Sequence, residues 1–285
     1  MRIAIGSGKG GTGKTTIAVS LALSLARRGS AVQLLDCDVE EPNAHLFLKP
    51  QIISCESVMV NVPEIDSELC TKCGACSEFC QFNALAALPN KVLVFPELCH
   101  NCGGCRRVCP SESIFYRERK VGTLEIGLVD EIQFGLGRLD VGEARATPII
   151  TKLKGIANPT RICIFDAPPG TSCPFVETVK DSDVCLLVTE PTPFGLNDLK
   201  LAVEVTETLG VPRAVIINRA DIGDDGVEKY CKEKGVPILL KIPHDRAIAE
   251  AYAVGKSLIE ARSEYADMFC DLYDTVERMM KERTL

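Results

Sequence analysis

The chain has 285 residues, 46% of them apolar, and carries 32 basic against 39 acidic side chains for a formal net charge of −7. That length suits one large domain or two smaller ones with a substantial core, and an acidic balance without a basic run or interleaved aromatics argues against a nucleic-acid binder. No secretory leader is visible and no apolar run is long enough to span a bilayer, so fifteen cysteines point to metal or redox chemistry in a reducing cytoplasm rather than to disulfides.

Arg2 to Ser7 reads as a short apolar strand and Gly8 to Gly13 as a glycine-rich loop. Lys14 to Arg28 carries Ile17, Leu21 and Leu25 at helical spacing, and Gly29 ends it. Ala31 to Asp36 reads as a second buried strand. Residues 66–119 then break the rhythm: they hold two cysteine runs, each followed by a short apolar segment, Ala84 to Leu88 and Ser113 to Tyr116. The glycine-rich stretch Gly122 to Gly142 is expected to return the chain to the main sheet. Further strands fit Arg161 to Phe165, Val184 to Thr189, Ala214 to Ile217 and Ile238 to Lys241, with helices over Asp198 to Leu209, Gly226 to Glu233 and Ile248 to Val254. This alternation predicts an α/β fold with a doubly wound, mostly parallel sheet built from residues 1–65 and 120–285, into which a small α+β unit is inserted at 66–119. A last helix sets Tyr265, Met268, Phe269, Leu272, Tyr273, Val276, Met279 and Met280 at helical spacing. Its polar face is acidic (Asp267, Asp271, Asp274, Glu277), which suits a helix closing the core better than one lying on an anionic membrane.

Gly8-Lys9-Gly10-Gly11-Thr12-Gly13-Lys14-Thr15 fits G-x-x-x-x-G-K-[ST] between a strand and a helix. The glycines let backbone N–H groups face phosphates, Lys14 reaches the β- and γ-phosphates, and the Thr15 hydroxyl sits on Mg²⁺. The helix N-terminus, running on through Thr16, adds its dipole. Lys9 is an extra lysine within the loop, and the string from Lys9 to Thr16 resembles the deviant Walker A loop of the MinD/ParA/Mrp group of ATPases. The resemblance implies that Lys9 reaches across an ATP-closed dimer to the partner's phosphates; the plain alternative is a solvated charge. It implies that Asp36 to Asn43 is a first switch, with Asp38 polarising the attacking water and Asp36 near the metal. Asp166 to Thr171 becomes the second switch, with Asp166 holding Mg²⁺ through water and Gly170 sensing the γ-phosphate. Asn218 and Arg219 at a strand end, Pro243, and the Glu190 to Gly195 loop are the candidates for base and ribose. The resemblance favours ATP/ADP over a guanine nucleotide.

Cys70, Cys73, Cys76, Cys80 and then Cys99, Cys102, Cys105, Cys109 each read C-x2-C-x2-C-x3-C, with Pro110 after the second run. This is the ligand pattern of a bacterial ferredoxin carrying two 4Fe–4S clusters, in which the fourth cysteine of each run crosses to the other cluster. One set is then Cys70, Cys73, Cys76 and Cys109, the other Cys99, Cys102, Cys105 and Cys80. Zinc is the rival, since C-x2-C pairs also make tetrahedral sites. Gln81 departs from the pattern, which usually has proline there. Cys37, Cys163 and Cys185 belong with core strands, and Cys55, Cys231 and Cys270 have no partner pattern. Cys173 sits where the related nitrogenase iron protein has a dimer-bridging cluster ligand, but the second cysteine such a site needs is missing, so a buried or redox-silent thiol is expected.

Taken together, the motifs suggest an ATP-hydrolysing iron–sulfur protein in which nucleotide-driven homodimerisation is coupled to electron transfer towards an unidentified redox or Fe–S acceptor protein. A second related ATPase as heterodimer partner stays open. The Mrp resemblance implies an alternative, an iron–sulfur cluster carrier, although its usual C-x-x-C pair does not follow Cys109. The MinD resemblance implies another, a positioning ATPase working with a partner in cell division. Direct membrane insertion is not expected.

Overall fold

Short runs of apolar residues buried on both sides build the centre of the molecule. The computed structural model describes residues 1–284. In chain order the elements are β1 (Arg2–Gly6), α1 (Lys14–Arg27), β2 (Val32–Asp36), α2 (Ala44–Leu48), β3 (Gln51–Ile65), α3 (Ala75–Phe79), β4 (Leu85–Ala87), β5 (Val92–Val94), α4 (Gly104–Arg107), β6 (Ile114–Val129) and β7 (Ile132–Leu139). They continue as α5 (Thr147–Gly155), β8 (Ile162–Asp166), α6 (Cys173–Val179), β9 (Val184–Thr189), α7 (Pro193–Thr208), β10 (Arg213–Asn218), α8 (Gly226–Lys234), β11 (Ile238–Ile242), α9 (Arg246–Ala253), α10 (Leu258–Ala261) and α11 (Tyr265–Thr284).

The main sheet has nine strands in the order β11-β10-β9-β1-β8-β2-β7-β6-β3. From β11 to β7 neighbours run parallel, whereas β6 and β3 are antiparallel at one edge. Alternate residues of each strand feed two apolar layers. Ala4, Leu35 and Phe165 face a layer closed by α5, α6, α7 and α8, while Ile3, Ile5 and Leu34 face one closed by α1, α10 and α11. The closing-helix reading of the C-terminus holds: α11 buries Tyr265, Phe269, Leu272 and Val276, and Arg28 of the α1 C-cap pairs with Asp274 at 2.7 Å. Among the described residues no helix is long and apolar enough to cross a membrane.

Three elements differ from the sequence-based expectation. Helix α7 starts at Pro193 rather than Asp198, because the Thr192 hydroxyl caps it by accepting the Gly195 N–H at 3.0 Å and proline suits the first turn. Strands β3 and β6 are long: β6 pairs with β7 from Gly122 to Val129, and beyond Gly122 it continues with β3 alone as a two-stranded ribbon. At the ribbon's tip, after the Ile65↔Ile114 pair, residues 66–113 hold α3, α4 and the small β4–β5 hairpin.

Candidate functional site

The loop after β1 meets the carboxyl ends of the parallel strands, where open α/β sheets place ligands. A cavity of about 350 Å³ opens there. The loop side of it is Gly10, Gly11, Gly13, Lys14, Thr15 and Thr16; Asp38 comes from the segment after β2, and Asn218, Arg219 and Pro243 from the ends of β10 and β11. Two glycines are fixed by close approach. A Cβ on Gly8 would lie 2.1 Å from the Asp198 carbonyl oxygen, and one on Gly13, at φ +97°, would lie 2.6 Å from Asn218 Nδ2. That amide donates to the Thr12 carbonyl at 2.9 Å, so Asn218 holds the loop as well as lining the cavity. The segment Glu190–Gly195, offered by the sequence as a flank for the base, does not line this cavity. The far wall instead includes Tyr252 and Leu258; the only sequence signal for them is the apolar helical stretch after Pro243.

Three acids stand behind the loop. Asp36 and Asp166 are register partners at the ends of β2 and β8, both fully buried. Asp36 accepts the Asp38 N–H at 3.2 Å and the Asn43 and Ala44 N–H groups at 3.0 Å each. It therefore holds the segment from Asp38 to Asn43 and the start of α2. Burial, the Asp166 charge beside it and, more weakly, Asp38 push its pKa well up against those bonds. Asp166 differs: neither carboxylate oxygen has a hydrogen-bond partner. Burial pushes it up to about 7, with the nearby Thr15 hydroxyl and Lys14 pulling the other way. Asp38 rises to about 6, again by burial opposed by Lys14. A buried carboxylate with free lone pairs beside a threonine hydroxyl is a donor set suited to a hydrated Mg²⁺.

Lys9 has a partner in its own chain. Its ammonium lies 3.4 Å from Glu190 Oε2, and Arg219 Nη1 takes Glu190 Oε1 at 2.7 Å. Glu190 is thus a junction between the loop lysine and the strand end at β10.

The cysteine runs fold as a backbone repeat. Lys72 and Asn101, Gly74 and Gly103, and Asn83 and Glu112 all have positive φ, and each pair is spaced as Cys70 is from Cys99. Each run therefore turns the same way before a one-turn helix, α3 or α4. Two cavities lie between the halves. One is lined by Cys70, Cys73, Cys76 and Cys109, the other by Cys80, Cys99, Cys102 and Cys105. Cys109 Sγ lies 3.3 Å from the Ser113 hydroxyl and 3.6 Å from that of Ser111. Cys80 Sγ accepts the Ala84 N–H at 3.3 Å. The ring of Phe82 stacks on His100 at 3.8 Å beside the second cavity. Among the described residues no three His, Cys, Asp or Glu side chains are gathered as ligands of one metal ion. Cys37, Cys163 and Cys185 are buried as expected, but Cys173 is exposed at the start of α6, which corrects the buried half of the expected buried or redox-silent thiol. The reason is local: Pro174 opens the helix, and the packed face is carried by Phe175, Thr178 and Val179.

Residues 3–259 match the CobQ/CobB/MinD/ParA nucleotide binding domain. The chain belongs to this family. Among its relatives is an uncharacterized protein of Methanocaldococcus jannaschii, 34% identical over 286 residues and covering 98% of each chain. An iron-sulfur cluster carrier protein of Pyrococcus abyssi is 24% identical over 298 residues, covering 99% of this chain and 87% of its own. The septum site-determining protein MinD of Pyrococcus horikoshii, solved with Mg-ADP, has the same fold at a TM-score of 0.62 and 18% identity, covering 98% of this chain and 96% of that one. A member of the MinD/ParA family is a P-loop nucleotide-binding protein, and the cavity described above is where this one carries its loop. Sequence reasoning did not find the Glu190 junction or the Tyr252 wall, because both depend on segments distant in the chain, nor the anchoring by Asp36, because a carboxylate turned onto N–H groups within the next eight residues leaves no mark in the apolar pattern.

Proposed function

We propose that this family member is an ATP-binding and ATP-hydrolysing iron–sulfur protein in which nucleotide-driven dimerisation governs electron transfer through two 4Fe–4S clusters. The observation that carries the reading is the crossed lining of the two cavities, in which Cys109 joins the first run and Cys80 the second. That is the ligand exchange expected of a two-cluster ferredoxin unit, and here it shares a chain with a nucleotide loop.

In this reading the backbone N–H groups from Gly8 to Gly13 cradle the phosphates, with Lys14 at the β- and γ-phosphates. Thr15 and the unpartnered Asp166 hold hydrated Mg²⁺, and Asp36 sets the switch beside it. Asp38 orients the attacking water, and its raised pKa lets it take a proton near neutral pH. Asn218, Arg219 and Pro243 flank the base. Lys9 leaves Glu190 to reach the partner's phosphates across a homodimer. The eight cysteines suit the clusters by donor type, by spacing and by their shared lining of two cavities, and each cluster would supply one-electron transfer when bound. Residues 66–119, which include the start of β6, form the inserted ferredoxin-like domain, and a separate acceptor protein takes the electron.

A second reading, a cluster carrier, is favoured by the relatives named iron-sulfur cluster carrier proteins. An anaerobic EPR redox titration in the nucleotide-free, ADP and ATP-analogue states separates the two, run beside incubation with a cluster-free ferredoxin. A nucleotide-dependent potential with clusters retained supports electron transfer. Unshifted potentials with ATP-stimulated transfer of iron and sulfide would move the assignment to the carrier.

A further inference from the structure

We infer that Glu143, gripping Arg119 and Arg145, forms a clip that carries the position of the first switch to the Cys99 loop. For its consequence at a cluster the inference rests on the iron–sulfur reading above; the contacts themselves do not.

Glu143 and Arg145 lie in the loop between β7 and α5, and both are more than nine-tenths buried although charged. Glu143 Oε1 accepts the Arg145 Nε–H at 2.8 Å and the backbone N–H groups of Ala144 and Arg145 at 3.2 and 3.1 Å. Its Oε2 accepts from Arg145 Nη2 at 3.2 Å and from Arg119 Nη1. Arg119 belongs to the ribbon strand β6. The remaining arm of Arg145, Nη1, donates to the backbone carbonyl of Cys99. One carboxylate therefore joins three parts: the nucleotide-binding body, the ribbon and the first cysteine of the second run. Burying a carboxylate and a guanidinium this deeply is tolerable only with such complete pairing.

The same loop is tied to the switch. Val39, next to Asp38, accepts the N–H of Leu139, the last residue of β7, at 2.8 Å. Asp140 N–H bonds the Val121 carbonyl at 3.0 Å on the ribbon strand. Packing here leaves no slack: a Cβ on Gly137 would lie 2.7 Å from Val39 Cγ1 and 2.5 Å from Ile149 Cγ2. A switch that moves when Asp38 engages the nucleotide must displace β7 and its loop, and close-packed interfaces pass such shifts on rather than absorb them. Arg145 is thus a positioning residue for the Cys99 loop.

The test is hydrogen–deuterium exchange on the anaerobically purified full chain, with and without Mg²⁺ and the β,γ-imido analogue of ATP. In the wild type the analogue is expected to change exchange across Cys99–Arg107. Arg145→Gln should lose that response while binding the analogue normally, and Arg145→Lys should restore part of it. A full response in Arg145→Gln, or none in the saturated wild type, overturns the clip. Should Arg145→Gln fail to fold, Arg119→Gln at the more exposed end of the clip takes its place, with a weakened response expected and an undiminished one overturning. Iron analysis of the same samples separates the two ideas: no iron with the response intact sinks the cluster reading alone, and iron without the response sinks the clip alone.

Discussion

Replacing Asp166 by Asn should stabilise the nucleotide-free protein while abolishing its response to Mg²⁺. The carboxyl is fully buried, neither oxygen has a partner, and burial raises its pKa from 3.8 to about 7. The native state thus holds a proton that the unfolded chain releases. The stability contributed by this group is complete below the unfolded pKa near 4 and is lost as pH rises through 7. At pH 8 the ionised group costs on the order of 4 kcal/mol relative to its protonated form. Asn avoids that but leaves an amide unpartnered, at roughly 1–3 kcal/mol. The balance is a net gain of about 1–3 kcal/mol at pH 8, or roughly 2–10 °C in melting temperature for a chain of this size. At pH 5 the native carboxyl is protonated but the unfolded one is mostly ionised, so the group still costs about 1.7 kcal/mol; that matches the cost of the unpartnered amide, and the two proteins should melt together. On the proposed assignment Mg²⁺ would supply the missing partner, so Mg²⁺ with ADP should raise the melting temperature of the wild type more than ADP alone, and the variant should show no such difference. Calorimetric melts of both proteins at pH 5 and 8, with and without ligand, read all of this. A folded Asn variant less stable than wild type at pH 8 without nucleotide would refute the argument.

The remaining predictions concern the loop lysines, the crossed cysteines and a glycine contact. Lys14→Ala should lose nucleotide binding by titration calorimetry, while Lys9→Ala should keep it and lose ATP-dependent dimerisation by light scattering; a Lys9 variant that still dimerises removes its cross-dimer role. Glu190→Gln frees Lys9 from its 3.4 Å contact and should shift the ATP-bound population towards dimer, whereas an unshifted equilibrium would show that the contact does not hold Lys9 back. Cys80→Ser should leave the same residual EPR spectrum as Cys102→Ser and a different one from Cys73→Ser; a match to Cys73→Ser instead would mean that the runs do not exchange ligands. Gly8→Ala places a Cβ 2.1 Å from a backbone oxygen of α7, and overpacking of this kind destabilises by about 1–3 kcal/mol. Nucleotide affinity should fall with it, and unchanged affinity would show that the loop does not depend on its seat against α7.

The parallel strands were legible because β1, β2, β8, β9 and β10 are near-continuous apolar runs buried on both faces. Strand β3 was not: most of Gln51–Ser57 is exposed, its apolar residues do not alternate cleanly, and Pro63 reads as a breaker. At a sheet edge proline is tolerated, and pairing with β6 rather than burial sets the strand. The phosphate loop was legible because its chemistry is local, eight consecutive residues between a strand and a helix. That Cys109 lines a cavity with the first run and Cys80 one with the second agrees with the exchange that the ferredoxin ligand pattern implies. Glu143 was invisible as a hub because Arg119 reaches it from the ribbon while its partner Arg145 reaches the Cys99 carbonyl in another segment, and no local pattern encodes such a meeting.

The two functional readings make different demands on these cysteines. A carrier must let its cluster go without unfolding the site that held it. On the proposed assignment each cluster takes three thiolates from one run and one from the other, so releasing either unlinks both halves. The thiols are also part of the fold: Cys76, Cys99 and Cys105 are buried in the same apolar layer as Val62 and Ile114 of the ribbon and Leu35 and Phe165 of the main sheet. A two-stranded ribbon has little stability alone, so the packing that steadies it includes the residues that would have to open. Cys73 and Cys102, one from each set, are exposed, which gives an electron a short exit from each site without any opening. On the proposed reading, resident clusters that exchange electrons therefore fit this arrangement better than cargo, and the bond from Leu139 to Val39, beside Asp38, would give ATP its route to them through the strand leading to Glu143.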